Sequence, residues 1–146
     1  MTIWSVFSHS DRHALLACDF TLDELAGLRD AVAGQAARAG LVGARGDDFV
    51  LAVHEGAVNA VDHGGGSGRV RLWRTRTLLC CQISDDGPGL PAYRRWARLR
   101  GPIGRRPEPR ETGGRGLWLI GRLADDSSLS SGPHGTIVQL AFLLPH

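Results

Sequence analysis

Glu55 and Asn59 stand four residues apart in the run His54-Glu55-Gly56-Ala57-Val58-Asn59. On a helix that spacing is one turn, so both side chains leave the same face. An amide oxygen is a hard ligand of the kind Mg²⁺ takes beside water and phosphate oxygens. A carboxylate one turn away can accept a proton from water or from an incoming hydroxyl. A second cluster, Asp85-Asp86-Gly87-Pro88-Gly89, follows an apolar run. An acid at a strand end, followed by glycines, lets a flat ring lie against bare backbone while an exocyclic amine donates to the carboxylate. The third cluster is Gly113-Gly114-Arg115-Gly116-Leu117. Glycines opening a helix leave unpaired amides ready for an anion. Arg115, with Arg105, Arg106 and Arg110 just before it, adds charge that phosphate oxygens accept. Read singly, each cluster has an ordinary counterpart: a solvated helix face, a turn, a glycine-rich helix entry. Read together they supply a metal-holding amide, a base-reading carboxylate and a phosphate cradle, the parts of an ATP site.

Composition removes several rivals. All 17 basic residues are arginine, so there is no lysine for a P-loop, a Schiff base or a protein-kinase-type phosphate contact. Net charge is only +2, which implies no nucleic-acid partner; the positive charge is concentrated between Leu90 and Thr112. His54 and His63 are nine residues apart and half a turn off a shared helix face, so zinc is not expected. Ser8, His9, Ser10 and His13 show no triad logic. Three cysteines, two of them adjacent in an apolar run, read as buried reduced thiols and not as a disulfide framework. Met1 to Ser10 lacks the pattern of a secretory signal, and no apolar stretch is long enough to span a bilayer. The expectation is a cytoplasmic protein with no membrane partner.

The elements that must carry these clusters follow from periodicity. Arg12 to Phe20 reads as a first strand. Thr21-Leu22-Asp23-Glu24 is a capping box. It opens a helix with Leu25, Leu28, Val32, Ala36 and Ala39 on one stripe, ended by Gly40 and Gly43. Asp47 or Asp48 is expected to cap a second helix running to His63 and stopping at Gly64-Gly65-Gly66. On it Phe49, Val53, Ala57 and Ala60 face one way, and Glu55, Asn59 and Asp62 another. Arg69 to Arg74 and Leu78 to Ser84 read as strands joined at Arg76-Thr77. Gly87 to Gly114 is rich in proline and arginine and poor in pattern, as functional loops are. Gly116 to Asp125 reads as a short helix with Leu117, Ile120, Leu123 and Ala124 inside. Leu129 and Thr136 to Leu143 close the chain as two strands. The predicted class is α/β, an α+β sandwich with a mixed, mainly antiparallel sheet and helices on one face. One domain is expected over 1–146, with 1–10 a loose tail.

In this order the clusters resemble the boxes of the GHKL, or Bergerat-fold, ATPases. The run from Glu55 through Asn59 to His63 and Gly64 resembles the N box. Asp85 to Gly89 resembles the G1 box, and Gly114-Arg115-Gly116 the G2 box. Gly135-Thr136 resembles the Gly-Thr whose threonine lies beside the adenine aspartate. The resemblance makes residues 90–112 the ATP lid. Within the superfamily the chain is most similar to bacterial anti-sigma-factor serine/threonine kinases. That resemblance implies ATP and Mg²⁺ as cofactors, Glu55 as catalytic base and Asn59 as Mg²⁺ ligand. It further implies adenine binding by Asp85, and a pocket shaped by Gly87, Gly89, Gly114, Arg115, Gly116 and Thr136. The implied partners are a sigma factor, an anti-anti-sigma protein of the STAS type and a second copy of the chain. An ATP-dependent binding module without turnover, or a stand-alone histidine-kinase-like catalytic domain, are the alternatives.

Overall fold

The computed structural model describes residues 14–89, 96–98 and 114–145. The expected tail at 1–10, the strand start at Arg12, Gly113, the lid arginines Arg105, Arg106 and Arg110, and most of the 90–112 lid lie outside the described residues.

Strand β1 (Leu16–Thr21) leads through a single 3-10 turn, Leu22–Glu24, into α1 (Leu25–Arg38). The capping box forms there: Glu24 accepts from the Thr21 backbone N–H at 3.1 Å and from its hydroxyl at 3.0 Å. Helix α2 (Gly43–His63) follows, then strands β2 (Ser67–Arg74) and β3 (Leu78–Asp85), and a short strand β4 (Trp96–Arg98). Helix α3 (Gly114–Leu123) and strands β5 (Asp126–Gly132) and β6 (Gly135–Leu143) complete the chain. The strands form one six-stranded sheet in the order β1-β2-β3-β6-β5-β4.

Each pairing among the described strands is antiparallel, so the expected mixed character is absent from them. Directly opposed residues of antiparallel strands share a face. One face carries Val70 and Leu72, Leu79, Cys81 and Ile83, and Val138, Leu140 and Phe142. These are buried in one cluster with Leu28, Val32, Phe49, Ala52, Val53, Ala57, Leu117 and Ile120 of the three helices. Each large side chain in that cluster contributes about 1.5–3 kcal/mol by leaving water. The other face of the sheet holds a smaller cluster of Trp73, Cys80 and Ala141.

Several expectations are corrected. Helix α2 begins at Gly43 and not at Asp47 or Asp48, with Val42 extended ahead of it. Gly43 has φ +63°, and so serves the tight entry to α2 and not the end of α1. Helix α3 spans Gly114–Leu123, two residues earlier at each end than expected. A three-residue strand, β4, sits inside the stretch expected to be all loop and pairs Ala97 with Leu129. Cys80 and Cys81 are buried, but Cys18 is exposed on the edge strand β1, contrary to expectation.

Candidate functional site

The three clusters converge on the second half of α2. Asp85 is the last residue of β3, paired in register with Thr136 at the start of β6. Its Oδ1 accepts the Gly87 N–H at 2.9 Å and the Thr136 N–H at 3.3 Å. Its Oδ2 accepts no hydrogen bond among the described residues. A carboxylate oxygen fixed by two backbone donors aims the other oxygen in one direction. Burial raises the Asp85 pKa and Asp86 adds to the rise. The two backbone hydrogen bonds and nearby His63 pull the other way. A further polar hollow of about 230 Å³ borders Asp85 and is lined by Asp19, Ser67, Gly68, Arg69, Ser84 and Asp86. Arg69 reaches Asp19 and Asp86 there, each at 3.3 Å.

Glycines bring these parts together. A Cβ at Gly64, the residue that stops α2, would overlap Asp85 Cγ and the Ala60 carbonyl oxygen. A Cβ at Gly87 would lie 2.9 Å from the His63 carbonyl oxygen. So the end of the helix, the strand-end acid and the turn after it close on one another backbone to backbone. At Gly89, φ +84°, a Cβ would overlap the Gly132 carbonyl oxygen and lie 3.1 Å from Ser131 Oγ. Gly135 has φ +136° and presses on the Asp85 carbonyl.

Asn59 lies five residues before Gly64, about 7.5 Å along the axis at 1.5 Å per residue. It was expected on a different face from Ala57 and Ala60, but it is buried beside them, 7% exposed. Its side-chain amide makes no hydrogen bond among the described residues. Glu55, one turn earlier, is half-buried and makes no ion pair among the described residues. Gly116 packs on it: a Cβ there would lie 2.9 Å from Glu55 Oε2. The start of α3 therefore crosses α2 at Glu55, with Arg115 exposed beside it. Gly56 has a different use. A Cβ there would overlap Ile83 Cδ1 and lie 3.7 Å from Ile120 Cδ1, so this glycine lets α2, α3 and the sheet close-pack.

The arrangement thus gathers Glu55, Asn59, Asp85, Gly87, Gly89, Gly116 and Thr136 around the second half of α2, with Gly114 and Arg115 in the first turn of α3. Two contributors were not read from the sequence. Gly64 was read as a helix stop and as the end of the run resembling the N box, but not as the residue against which Asp85 packs. Ser131 was unremarked; its hydroxyl is 2.7 Å from Thr136 Oγ1. Register could have found it, since Ser131 pairs with Thr136 just as Asp85 does.

The donor set fits a purine nucleotide with a divalent ion. One acceptor oxygen is aimed and unused, one nearly buried amide is unpaired, and the glycine walls leave backbone bare for a flat ring. The sequence matches the family described as "Histidine kinase-like ATPase domain" over residues 18–142. Among curated proteins none matches. Of solved structures, the chain is similar to a mycobacterial sensor histidine kinase, MprB, at 18% identity and TM-score 0.53. That match covers 90% of this chain and 100% of the other, a likeness of fold.

Proposed function

The chain belongs to the histidine kinase-like ATPase family, whose domains bind ATP, and from that premise we propose that it is a magnesium-dependent serine/threonine protein kinase of the anti-sigma type. In this reading it holds a sigma factor and phosphorylates an anti-anti-sigma antagonist. The observation that carries the nucleotide part is Asp85, with Oδ1 saturated by two backbone donors and Oδ2 left for the exocyclic amine of adenine. Thr136 and the bare backbone of Gly87 and Gly89 flank the ring. Asn59 would hold Mg²⁺ through its amide oxygen, and the ion would neutralise charge on the phosphates. Gly114, Gly116 and Arg115 offer helix-start amides and a guanidinium to the phosphate oxygens.

For transfer, a serine hydroxyl of the partner gives its proton to Glu55 as its oxygen attacks the γ-phosphorus. The bond to the bridging β–γ oxygen breaks and ADP leaves with the electron pair. Glu55 suits that role because it lies one turn from Asn59 and carries no competing cation among the described residues. The serine/threonine specificity, the partner pair and the single-domain organisation rest on the motif resemblance.

The test is incubation with γ-labelled ATP, Mg²⁺ and a candidate antagonist. Acid-stable label on a serine or threonine supports the proposal; acid-labile label would move the chain to the histidine-kinase reading. No transfer despite ATP binding would leave a nucleotide-gated binding module. Asn59→Ala is expected to abolish magnesium-dependent ATP binding. Glu55→Ala is expected to keep binding and lose transfer, and undiminished transfer would refute the base assignment.

A further inference from the structure

Helix α3 is apolar on both sides. Leu117 and Ile120 turn inward and are buried in the main core. A helix that only covered a sheet would be polar on its other side. Instead the positions three and four residues apart along that side are Arg115, Trp118, Leu119 and Arg122. Trp118 and Leu119 are half-buried, and the two arginines are exposed. The Arg122 guanidinium stands 5.7 Å over the Trp118 ring. Neither arginine makes an ion pair among the described residues, and α3 itself carries no acid. Arginine and tryptophan are the side chains that most often dominate a protein–protein contact.

Charge decides which occupant suits this face. The chain's own stretch from Leu90 to Thr112 holds seven arginines against two glutamates, the wrong sign for it. A second copy presenting the same face would set arginine against arginine. A segment with carboxylates and an apolar side chain complements both the guanidinium and the Trp118–Leu119 surface. Resting on the kinase reading above, we propose that α3 docks an acidic segment of the protein substrate on Trp118, Leu119 and Arg122. The position serves that reaction. Gly116 packs on Glu55, and Arg122 stands six residues further, about 9 Å along the axis at 1.5 Å per residue. An extended chain covers that distance in about three residues. The substrate class is therefore a serine or threonine with carboxylates at that distance from the acceptor hydroxyl.

The experiment is an NMR titration of the full chain, read at the Trp118 indole N–H and assigned with Trp118→Phe. The probes are a peptide of alternating glutamate and leucine, its glutamine–leucine counterpart and its lysine–leucine counterpart. The wild type is expected to bind the glutamate peptide about tenfold tighter than the glutamine one, with the gap closing as salt is raised. Arg122→Glu is expected to lose that preference and to favour the lysine peptide. Arg122→Lys, which keeps the charge, is expected to retain it. Arg122 stands about one Debye length from the phosphate end of α3, so ATP affinity should stay within about twofold of wild type in both variants. In the transfer assay Arg122→Glu should raise the KM for the antagonist about tenfold with kcat unchanged. The inference is overturned if the Trp118 signal ignores the glutamate peptide, if the glutamine peptide binds as tightly, or if Arg122→Glu keeps the wild-type preference. No transfer from ATP, with the glutamate peptide still bound at Trp118, would instead bring down the kinase reading and leave the docking face standing.

Discussion

The two ends of α2 hold similar kinds of side chain in opposite conditions. At the first turn, Arg45 pairs with Asp125, donates to the Leu143 carbonyl at 3.4 Å, and stacks 4.8 Å over the Phe142 ring. Asp125 also accepts the Leu143 N–H at 2.7 Å. Beneath them Phe49 and Phe142 meet edge to face at 5.2 Å. There Arg45 and Asp125 are satisfied by the protein itself. Toward the other end stand Glu55, Asn59 and Asp85 Oδ2, without such partners among the described residues. Polar atoms without a protein partner can be completed by a ligand with no internal hydrogen bond broken first. One end of the helix is tied to β6 by Arg45 and Asp125, and in the proposed reading the other is completed by a nucleotide.

The largest effect expected from this contrast is at Asp85. Asp85→Asn keeps an oxygen for the two backbone donors but can turn an amide N–H₂ toward the adenine amine. A charge-assisted hydrogen bond becomes a donor–donor clash. We expect ATP affinity to fall by about a hundredfold, on the order of 3 kcal/mol, with the fold intact by circular dichroism. A loss of less than threefold would mean that Oδ2 is not the base-reading atom.

Arg45→Ala should do the reverse. It removes a half-exposed ion pair, a cation–π contact and the packing of the arginine stem, together about 1–2 kcal/mol of stability. ATP affinity should stay within twofold of wild type. A denaturant midpoint that does not move, or an affinity that falls with it, would show that the two ends are not independent.

How far this contrast was legible in the sequence depends on what each residue answers to. Periodicity found the helix stripes and the β2–β3 and β5–β6 pairs, because amphipathic patterns are imposed by the same core they fill. The three clusters were legible because glycine and acid at fixed spacing are local signals. What escaped reading answers to distant chain. Asn59 is buried by neighbours that periodicity alone assigned to another face. Gly64 looks like a helix stop until Asp85, far along the chain, is seen against it. Gly56 looks like a weak point in a helix until Ile83 and Ile120 fill the space a side chain would take. Ser131 is one serine in a serine-rich run until strand register sets it opposite Thr136. Strand β4 is three residues long, too short to show alternation. Cys18 sits in an apolar run, but an edge strand leaves it exposed.

A matched pair of glycine variants sharpens the open end. Gly64→Ala would push a methyl group into Asp85 and the Ala60 carbonyl, while Gly65→Ala meets no atom within 4 Å and suffers only from its φ of +90°. Both should lose about 1 kcal/mol of stability from backbone strain or crowding. Gly64→Ala alone should also displace Asp85 and weaken ATP about tenfold. Equal affinities in the two variants would mean that the close approach at Gly64 serves packing and not the aim of the carboxylate.

The smallest effect is the pH response of the same carboxylate. Burial, the dominant cause, raises the folded-state pKa of Asp85 above its ordinary value. The folded state therefore binds this proton more tightly than the unfolded chain does. Stability from this residue is fully present below the unfolded pKa and is lost as pH rises through the folded one. Asp85→Asn lacks that titration. Measured against it, the wild type should lose relative thermal stability as pH climbs from below the usual carboxylate range to just above it, and the difference should be flat thereafter. Nucleotide binding should show the opposite sign. An amine donating to Oδ2 favours the ionised acid, so ATP affinity should rise with pH across the same window while its binding releases a proton there. Arg45→Ala, altering only the closed end, should leave both curves unchanged in shape. A wild-type curve that runs parallel to that of Asp85→Asn would mean that the open end carries no strained charge at all, and the contrast between the two ends of α2 would reduce to one of packing.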